Sequence, residues 1–531
     1  DFIKKVVFLL KKNGISTNKN RIEIKKHTAL PDNLDTFNNL FVNVETGELK
    51  NENLFKRRIL GLTSYFRSAQ ESLLPQYNPA TDMKIVELPM SDYQLKIYEL
   101  ARQSERSENK RNALKKMKNA ESGIYGDIAS TYRIFSRVFC NFVFPKEIER
   151  PMPDKNKKLN DILNEPEKID EDDLDDKDIN ERLNNLDGRY TDDDKKDIQD
   201  KQVISDTNYK ERMQNALEQL KEGTIDPDTN KRTLWLKGEK LKELSPKYHN
   251  ILSKLDDEEY EGLHLLYSQF RTLEGVGVFK AVLETNGYTQ FKIKKSSNGL
   301  WILNIPKEEE GKPCFCLYTG EEGAEEKEII RNIFNSNWNK IPSSLKNELE
   351  KISPNNYLGE IIKLIMITSS GAEGITLENV RFVHILEPYW HPVRSEQVIG
   401  RAVRICSHKN LEKKYRNVKV FQYIMKITQE QIKGNPNSKD PKKKKPQITT
   451  EMLRNDKSKF NPDEIFTTDQ SLHEISNRKE TINKNILMAI KQSAFDCALH
   501  RTPSSKENIQ CFSFSTSNRN EFIYKPNLED E

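Results

Sequence analysis

Residues 361–370 read IIKLIMITSS, and Gly371-Ala372-Glu373-Gly374 follows at once. A mostly apolar run that breaks off into glycines has the form of a buried parallel strand ending in a loop. Residues 380–388 (VRFVHILEP) supply a second apolar run, closed by a proline. Pro392 then stands where a helix begins, because the first helical position needs no N–H. On the helix so predicted, Arg394, Gln397, Arg401 and Arg404 follow one another at offsets of three, four and three. At about 100° per residue these four share a face, with Ile399, Ala402 and Val403 turned away and Val398 and Ile405 at the border. Gly400 lies beside the arginines, where it permits close backbone approach. A solvated basic helix would account for the arginines alone. It would not account for Q-x-x-G-R-x-x-R directly after a strand, a glycine loop and a second strand.

Working outward, residues 241–427 continue the alternation. LKELSPKYHNILSKL (241–255) reads as a helix with Ser245-Pro246-Lys247 near its start. GLHLLYSQFRTLEGVGVFKAVLETNGY (262–288) reads as strand, short loop, helix and turn; CFCLYTGEEGAEEKEIIRNIF (314–334) repeats the pattern, and VKVFQYIMKI (418–427) adds a last strand. Alternating strands and helices predict an α/β fold with a doubly covered parallel sheet and right-handed crossovers. Ligands on such a sheet bind at the carboxyl ends of the strands, where Gly371, Gly374 and the arginine helix should gather.

The flanks are less regular. Residues 1–26 alternate apolar runs with lysines, as short strands or a closing helix would, and DTFNNLFVN (35–43) fits a short helix. Residues 54–100 carry Arg57-Arg58, a turn at LLPQYNP, a strand-like KIVELP, and a helix that Ser91 should cap. YRIFSRVFCNFVFP (132–145) predicts an aromatic helix packed on the core, and residues 213–221 look helical. Residues 154–200 turn acidic (EDDLDD, DDD), the mark of a solvated linker; an acidic mimic of nucleic acid is the sharper alternative, and no EF-hand spacing is present. Residues 429–459, with KKKK at 442–445 and several prolines, read as a flexible basic linker, and 472–498 as a lysine-rich helix. Cys497, His500 and Cys511 fit no zinc spacing, so buried thiols are expected and no metal ligands. The layout is 1–53, 54–104, a helical and partly disordered insertion at 105–240, an α/β domain at 241–428, a linker at 429–460, and a helical extension at 461–531.

At 531 residues the chain has room for about three domains. With 86 basic against 82 acidic residues, its net charge of +4 is too small to indicate a nucleic-acid partner, so only local charge informs. Six cysteines and no signal-like segment point to a reducing compartment. No apolar run reaches the length of a membrane helix, and no membrane partner is expected.

GAEGITL (371–377) resembles motif V, and QVIGRAVR (397–404) resembles motif VI, of superfamily 2 helicases and translocases. The form of 367–408 is most similar to proteins of large cytoplasmic DNA viruses, namely the poxvirus nucleoside triphosphatase I and the small subunit of the poxvirus early transcription factor. The order of paired arginines, proline turn, strand and S-x-x-Q helix resembles the junction after the first motor lobe of Swi/Snf-type remodellers. YSQF (267–270) resembles the start of their second lobe. Val403 and Cys406-Ser407 depart from the remodellers, which favours the viral branch.

The resemblance implies a RecA-like second lobe that acts on ATP with Mg²⁺, both held mainly by a first lobe. It implies that Arg401 and Arg404 reach the γ-phosphate and that Gln397, Gly371, Gly374 and Gly400 lie at the nucleotide. Thr376, Ser268 and Gln269 would meet nucleic acid, with DNA placed ahead of RNA, and Glu373 would link the two sites. Viral RNA polymerase is an implied partner, and the host cytoplasm at viral factories, or the virion, the implied location. Neither G-x-x-x-x-G-K-[ST] nor a DEAD-like acidic box occurs in the chain. It is therefore expected to be the C-terminal portion of a nucleic-acid-dependent ATPase, inactive alone. The alternative is a binding scaffold that retains one motor lobe.

Overall fold

The computed structural model describes residues 2–16, 28–64, 73–116, 133–151, 210–319, 323–368, 374–441, 443–500 and 509–512. The chain divides into two compact units, one made of residues 1–67 with 481–531 and the other of residues 68–480. The acidic stretch at 154–200 lies outside the described residues.

The larger unit is built on a sheet of seven strands: β1 (Met83–Pro89), β2 (Leu263–Tyr267), β3 (Thr289–Gln290), β4 (Cys314–Tyr318), β5 (Ile362–Ile367), β6 (Val380–Ile385) and β7 (Lys419–Lys426). Their order is β1-β7-β6-β2-β5-β4-β3, and every neighbouring pair is parallel. This is the predicted α/β parallel sheet. β1, read from sequence at an inter-lobe junction, is an edge strand of it, in register with β7 from Met83 opposite Val420 to Pro89 opposite Lys426.

Both faces are covered, and the period of two along each strand sorts the side chains. Leu266, Leu364, Met366, Phe421 and Tyr423 pack on one face with Tyr248, Ile251, Phe279 and Leu283. Leu265, Tyr267, Ile365, Ile367, Val383 and Ile385 pack on the other with Ile329, Ile333, Val398 and Ala402. Each fully buried aliphatic side chain contributes about 1.5–3 kcal/mol. The first face is polar at His264 and His384, both fully buried in adjacent strands. His264 Nε2 lies 2.9 Å from the Tyr260 carbonyl, which can only accept, so that nitrogen carries the proton. His264 Nδ1 therefore accepts from His384 Nε2 at 3.0 Å, and His384 Nδ1 accepts from the Tyr423 hydroxyl at 2.8 Å. Burial holds His264 neutral, down to about 3, and pushes His384 well below the usual imidazole range.

Helix α1 (Asp92–Lys116) starts where predicted, with the Gln94 amide donating to Ser91 Oγ at 2.9 Å. α2 (Ile134–Asn141) is the predicted aromatic helix. The helix predicted across 241–255 is two: Gly238–Leu244 stops at Ser245, which caps α3 (Pro246–Asp256) by accepting from the Tyr248 amide at 3.1 Å. Pro246 has no N–H to continue the first helix, but its fixed φ suits the start of the second. α4 (Val278–Thr285) and α5 (Ala324–Phe334) follow β2 and β4.

Residues 429–459 correct the expectation of a flexible linker. Thr428 and Gln431 form a capping box, a short helix spans Thr450–Asn455, and Ile448 and Met452 are buried against Met90, Leu95 and Tyr98. Two buried apolar anchors hold the stretch in place despite its lysines.

In the smaller unit, helix Phe2–Lys12 takes the helical alternative read for the start of the chain, Leu34–Phe41 is the short helix read at 35–43, and a further helix spans Glu52–Ile59. Phe41, Phe55, Ile59 and Ala489 form its core. The expectation of buried thiols is also corrected there: Cys497 and Cys511 are joined in a disulfide, their Cα atoms 5.9 Å apart.

Candidate active site

The segment 374–378, which leads into β6, meets the end of the helix that follows β6. Gly371 and Glu373 lie outside the described residues. Gly374 has φ +74, the left-handed region that glycine enters without a Cβ penalty, and it turns the chain into Ile375-Thr376. Ile375 and Leu377 are buried while Thr376 is exposed, so the loop is anchored on both sides of a presented hydroxyl.

Helix α6 (Pro392–Ala402) begins at Pro392 as predicted and buries Val398, Ile399 and Ala402. It ends two residues before Arg404, because Val403 leaves helical geometry at φ −91, ψ 81. Arg404 is thus not on the helix face assigned to it by offset. It still reaches the site: its Nη1 donates to Thr376 Oγ1 at 2.5 Å. Arg401 Nη1 donates to the Ile375 carbonyl at 3.0 Å. Arg394, read on the same face, is buried, with its guanidinium 6.0 Å from the centre of the Tyr389 ring. Gln397 is half-buried, and the space beside Gly400 is open, since an added Cβ would meet nothing within 4 Å.

The turn after Arg404 is fastened from beneath. Ser407 accepts from the Asn379 amide at 2.9 Å through its carbonyl, and its hydroxyl donates to Ala402 O at 2.9 Å. His408 donates from Nε2 to the Val380 carbonyl at 2.8 Å, and burial brings its pKa down to about 4, so it stays neutral.

Asn335, just past α5, was not singled out from sequence. It is buried; its Nδ2 donates to the Thr376 carbonyl and its Oδ1 accepts from the Glu378 amide, each at 2.9 Å. An asparagine after a helix is an ordinary capping or turn signal, and nothing local announces a bond 41 residues away.

Ser268 and Gln269 stand apart from this cluster. Ser268 is fully buried and its hydroxyl donates to Glu387 at 3.1 Å, so it does not present itself to a nucleic-acid strand. Gln269 gives its backbone N–H to the same carboxylate and accepts from Arg137 through its side chain. Glu387 also accepts from Asn141 Nδ2 at 3.1 Å; Asn141 in turn accepts from Lys247, which pairs with Asp469 at 2.7 Å. Burial raises the Glu387 carboxyl and lowers the Arg137 guanidinium. A buried charged set this well bonded holds the strand ends together.

What the arginine site offers is cationic. Arg404 has, among the described residues, no carboxylate partner; its one bond goes to a neutral hydroxyl. A planar guanidinium held this way keeps donors for phosphoryl oxygens. Among the described residues no group of three or more His, Cys, Asp or Glu is placed to hold a metal ion.

Residues 297–406 match the family model of the helicase conserved C-terminal domain. The chain is similar to a protein of Acanthamoeba polyphaga mimivirus provisionally named ATP-dependent RNA helicase R350, at 27% identity over 507 residues, covering 91% of this chain and 52% of that protein. A second mimivirus protein, provisionally named ATP-dependent RNA helicase R563, is 32% identical over 35% of this chain and 26% of its own length. The termination factor NPH-I homolog of African swine fever virus is 27% identical over 48% of this chain and 33% of its own length. The chain therefore spans about half the length of the first of these relatives and less of the others. No helix among the described residues is long and apolar enough to cross a membrane.

Proposed function

We propose that this chain works as the second lobe of a nucleic-acid-dependent ATPase of the helicase or translocase type. ATP and Mg²⁺ would be held chiefly by a first lobe, with Arg401 and Arg404 reaching in from this side. The observation that carries the reading is the pairing of two arginines with the Ile375-Thr376 loop, which leaves the Arg404 guanidinium uncompensated by any described carboxylate. Such a cation stabilises charge as it spreads over the transferring phosphoryl group, an effect of about 10³–10⁵ in rate. Gln397 and the open side of Gly400 border the nucleotide, as do Gly371 and Gly374 on the loop. Thr376 is the hydroxyl offered to a phosphate backbone. Ser268 and Gln269 instead position Glu387 beneath the strand ends.

A role in viral transcription, beside a viral RNA polymerase in the host cytoplasm or virion, is supported by the name of the African swine fever virus relative. The mimivirus names mention RNA, whereas the branch read from the sequence favours DNA. The scaffold alternative draws on one observation: the chain contains no phosphate-loop motif.

The test compares this chain alone with the same chain joined to a first motor lobe. The isolated chain should show no ATP hydrolysis above background, and the two-lobed protein should hydrolyse ATP faster when an oligonucleotide is added. Binding should be weak and fall steeply with salt, because its contacts are to backbone phosphates. Salt-independent binding, or a two-lobed protein without ATPase activity, would contradict the proposal.

A further inference from the structure

We infer that Asn335 is a positioning residue for the arginine site. The inference rests on the function proposed above. The segment 375–378 leads into β6 and belongs to no strand among the described residues, so its backbone groups need partners from elsewhere. Asn335 supplies them the way a neighbouring strand would. Its amide donates to Thr376 O and accepts from Glu378 N, two groups that face the same side of an extended segment. One acceptor and one donor on opposite ends fix which amide atom is which. Because Asn335 is only 3% exposed, water cannot take its place.

The clamp acts on the residues the arginines use. Arg401 bonds the Ile375 carbonyl, and Arg404 bonds the hydroxyl of Thr376, the residue whose carbonyl Asn335 holds. Asn335 sits at the end of α5, where its own amide still donates to the Arg331 carbonyl and the backbone is helical (φ −75, ψ −1). Any shift of that helix end therefore moves the Thr376 hydroxyl relative to Arg404. Asn337 adds a weaker tie, donating to Glu378 Oε1 at 3.3 Å. Asn335 itself is buried beneath the loop, so its influence runs through Thr376 and Arg404.

The experiment uses the two-lobed protein with Asn335→Ala, Asn335→Asp, Arg404→Ala and the combinations with Arg404→Ala. Asn335→Ala should lower kcat by about 10- to 100-fold, the scale of a misplacement near 1 Å, with KM for ATP changing much less. Asn335→Asp keeps the shape and the acceptor for Glu378 N but loses the donor to Thr376 O, so it guards against loss of the fold. Its Glu378 amide should stay protected from hydrogen exchange, whereas Asn335→Ala should expose that amide. Once Arg404 is alanine, either Asn335 substitution should cost little further turnover. Fully multiplicative losses would overturn the inference and leave Asn335 a stabilising residue only. So would unchanged kcat in both Asn335 variants while Arg404→Ala is impaired. If Arg404→Ala itself turns over normally, the motor reading fails first and this inference falls with it.

Discussion

Two pairs of arginines occupy the larger unit, and they are treated in opposite ways. Arg102 and Arg106, one turn apart on α1, are buried among acids: Arg102 pairs with Asp456 at 2.6 Å and Glu105 at 2.6 Å, while Arg106 pairs with Glu99 at 2.7 Å and also with Asp456. Arg401 and Arg404 are half-exposed, and the bonds that tie them to the loop after β5 end on a carbonyl and a hydroxyl. The first pair has its charge neutralised in place and joins α1 to the segment after β7. In the second, Arg404 is oriented by a neutral hydroxyl, with no carboxylate partner among the described residues. Carboxylate partners make an arginine a staple, and neutral partners leave it available to an anionic substrate.

The sharpest way to break this contrast is Asp456→Ala. It removes the carboxylate that two buried guanidinium groups share, leaving Arg102 only Glu105 and Arg106 only Glu99, and should destabilise the larger unit by about 3 kcal/mol, read as the shift in a denaturant midpoint. A loss under about 1 kcal/mol would mean that the buried pair is no staple. The next effect is acid sensitivity. His264, His384 and His408 are held neutral in the fold, with His264 at about 3, His408 at about 4 and His384 well below its ordinary value, all by burial first. The unfolded chain takes up these protons below pH about 6.5 and the folded chain does not, so stability falls as pH drops from there toward about 4. Each histidine adds a slope of up to about 1.4 kcal/mol per pH unit. Replacing His264 and His384 together by glutamine should flatten that slope, which denaturation at pH 7, 6 and 5 would measure. The smallest effect is expected at Ser91→Ala, which removes the cap of the helix carrying Arg102 and should cost about 1 kcal/mol without altering ATP turnover per folded molecule.

The sheet was legible in the sequence because its strands are nearly continuous apolar runs broken by glycine or proline, as at 361–374 and 380–388. The arginine site was legible in its members, since spacing along one helix needs only local geometry. Its wiring was not. Arg394 faces inward because Tyr389 and the strand end are there, and Arg404 lies past a helix whose end no glycine marks. Long-range partners leave no local signal: Asn335 meets Thr376 across 41 residues, and Arg102 meets Asp456 across 354. The lysines of 429–459 hid Ile448 and Met452, whose burial makes that stretch part of the core. The disulfide likewise follows from tertiary approach, since a spacing of 14 residues fits many arrangements.

The most direct measurement is single-turnover ATP hydrolysis by the two-lobed protein bearing Arg404→Ala, set beside its unfolding midpoint. If the guanidinium is oriented for an anionic transition state, the rate should fall by on the order of 10³-fold. ATP affinity should fall far less, and stability should stay within about 0.5 kcal/mol of the parent. An unchanged rate, or a loss of stability large enough to account for a lower one, would place Arg404 with Arg102 among the staples and contradict the account.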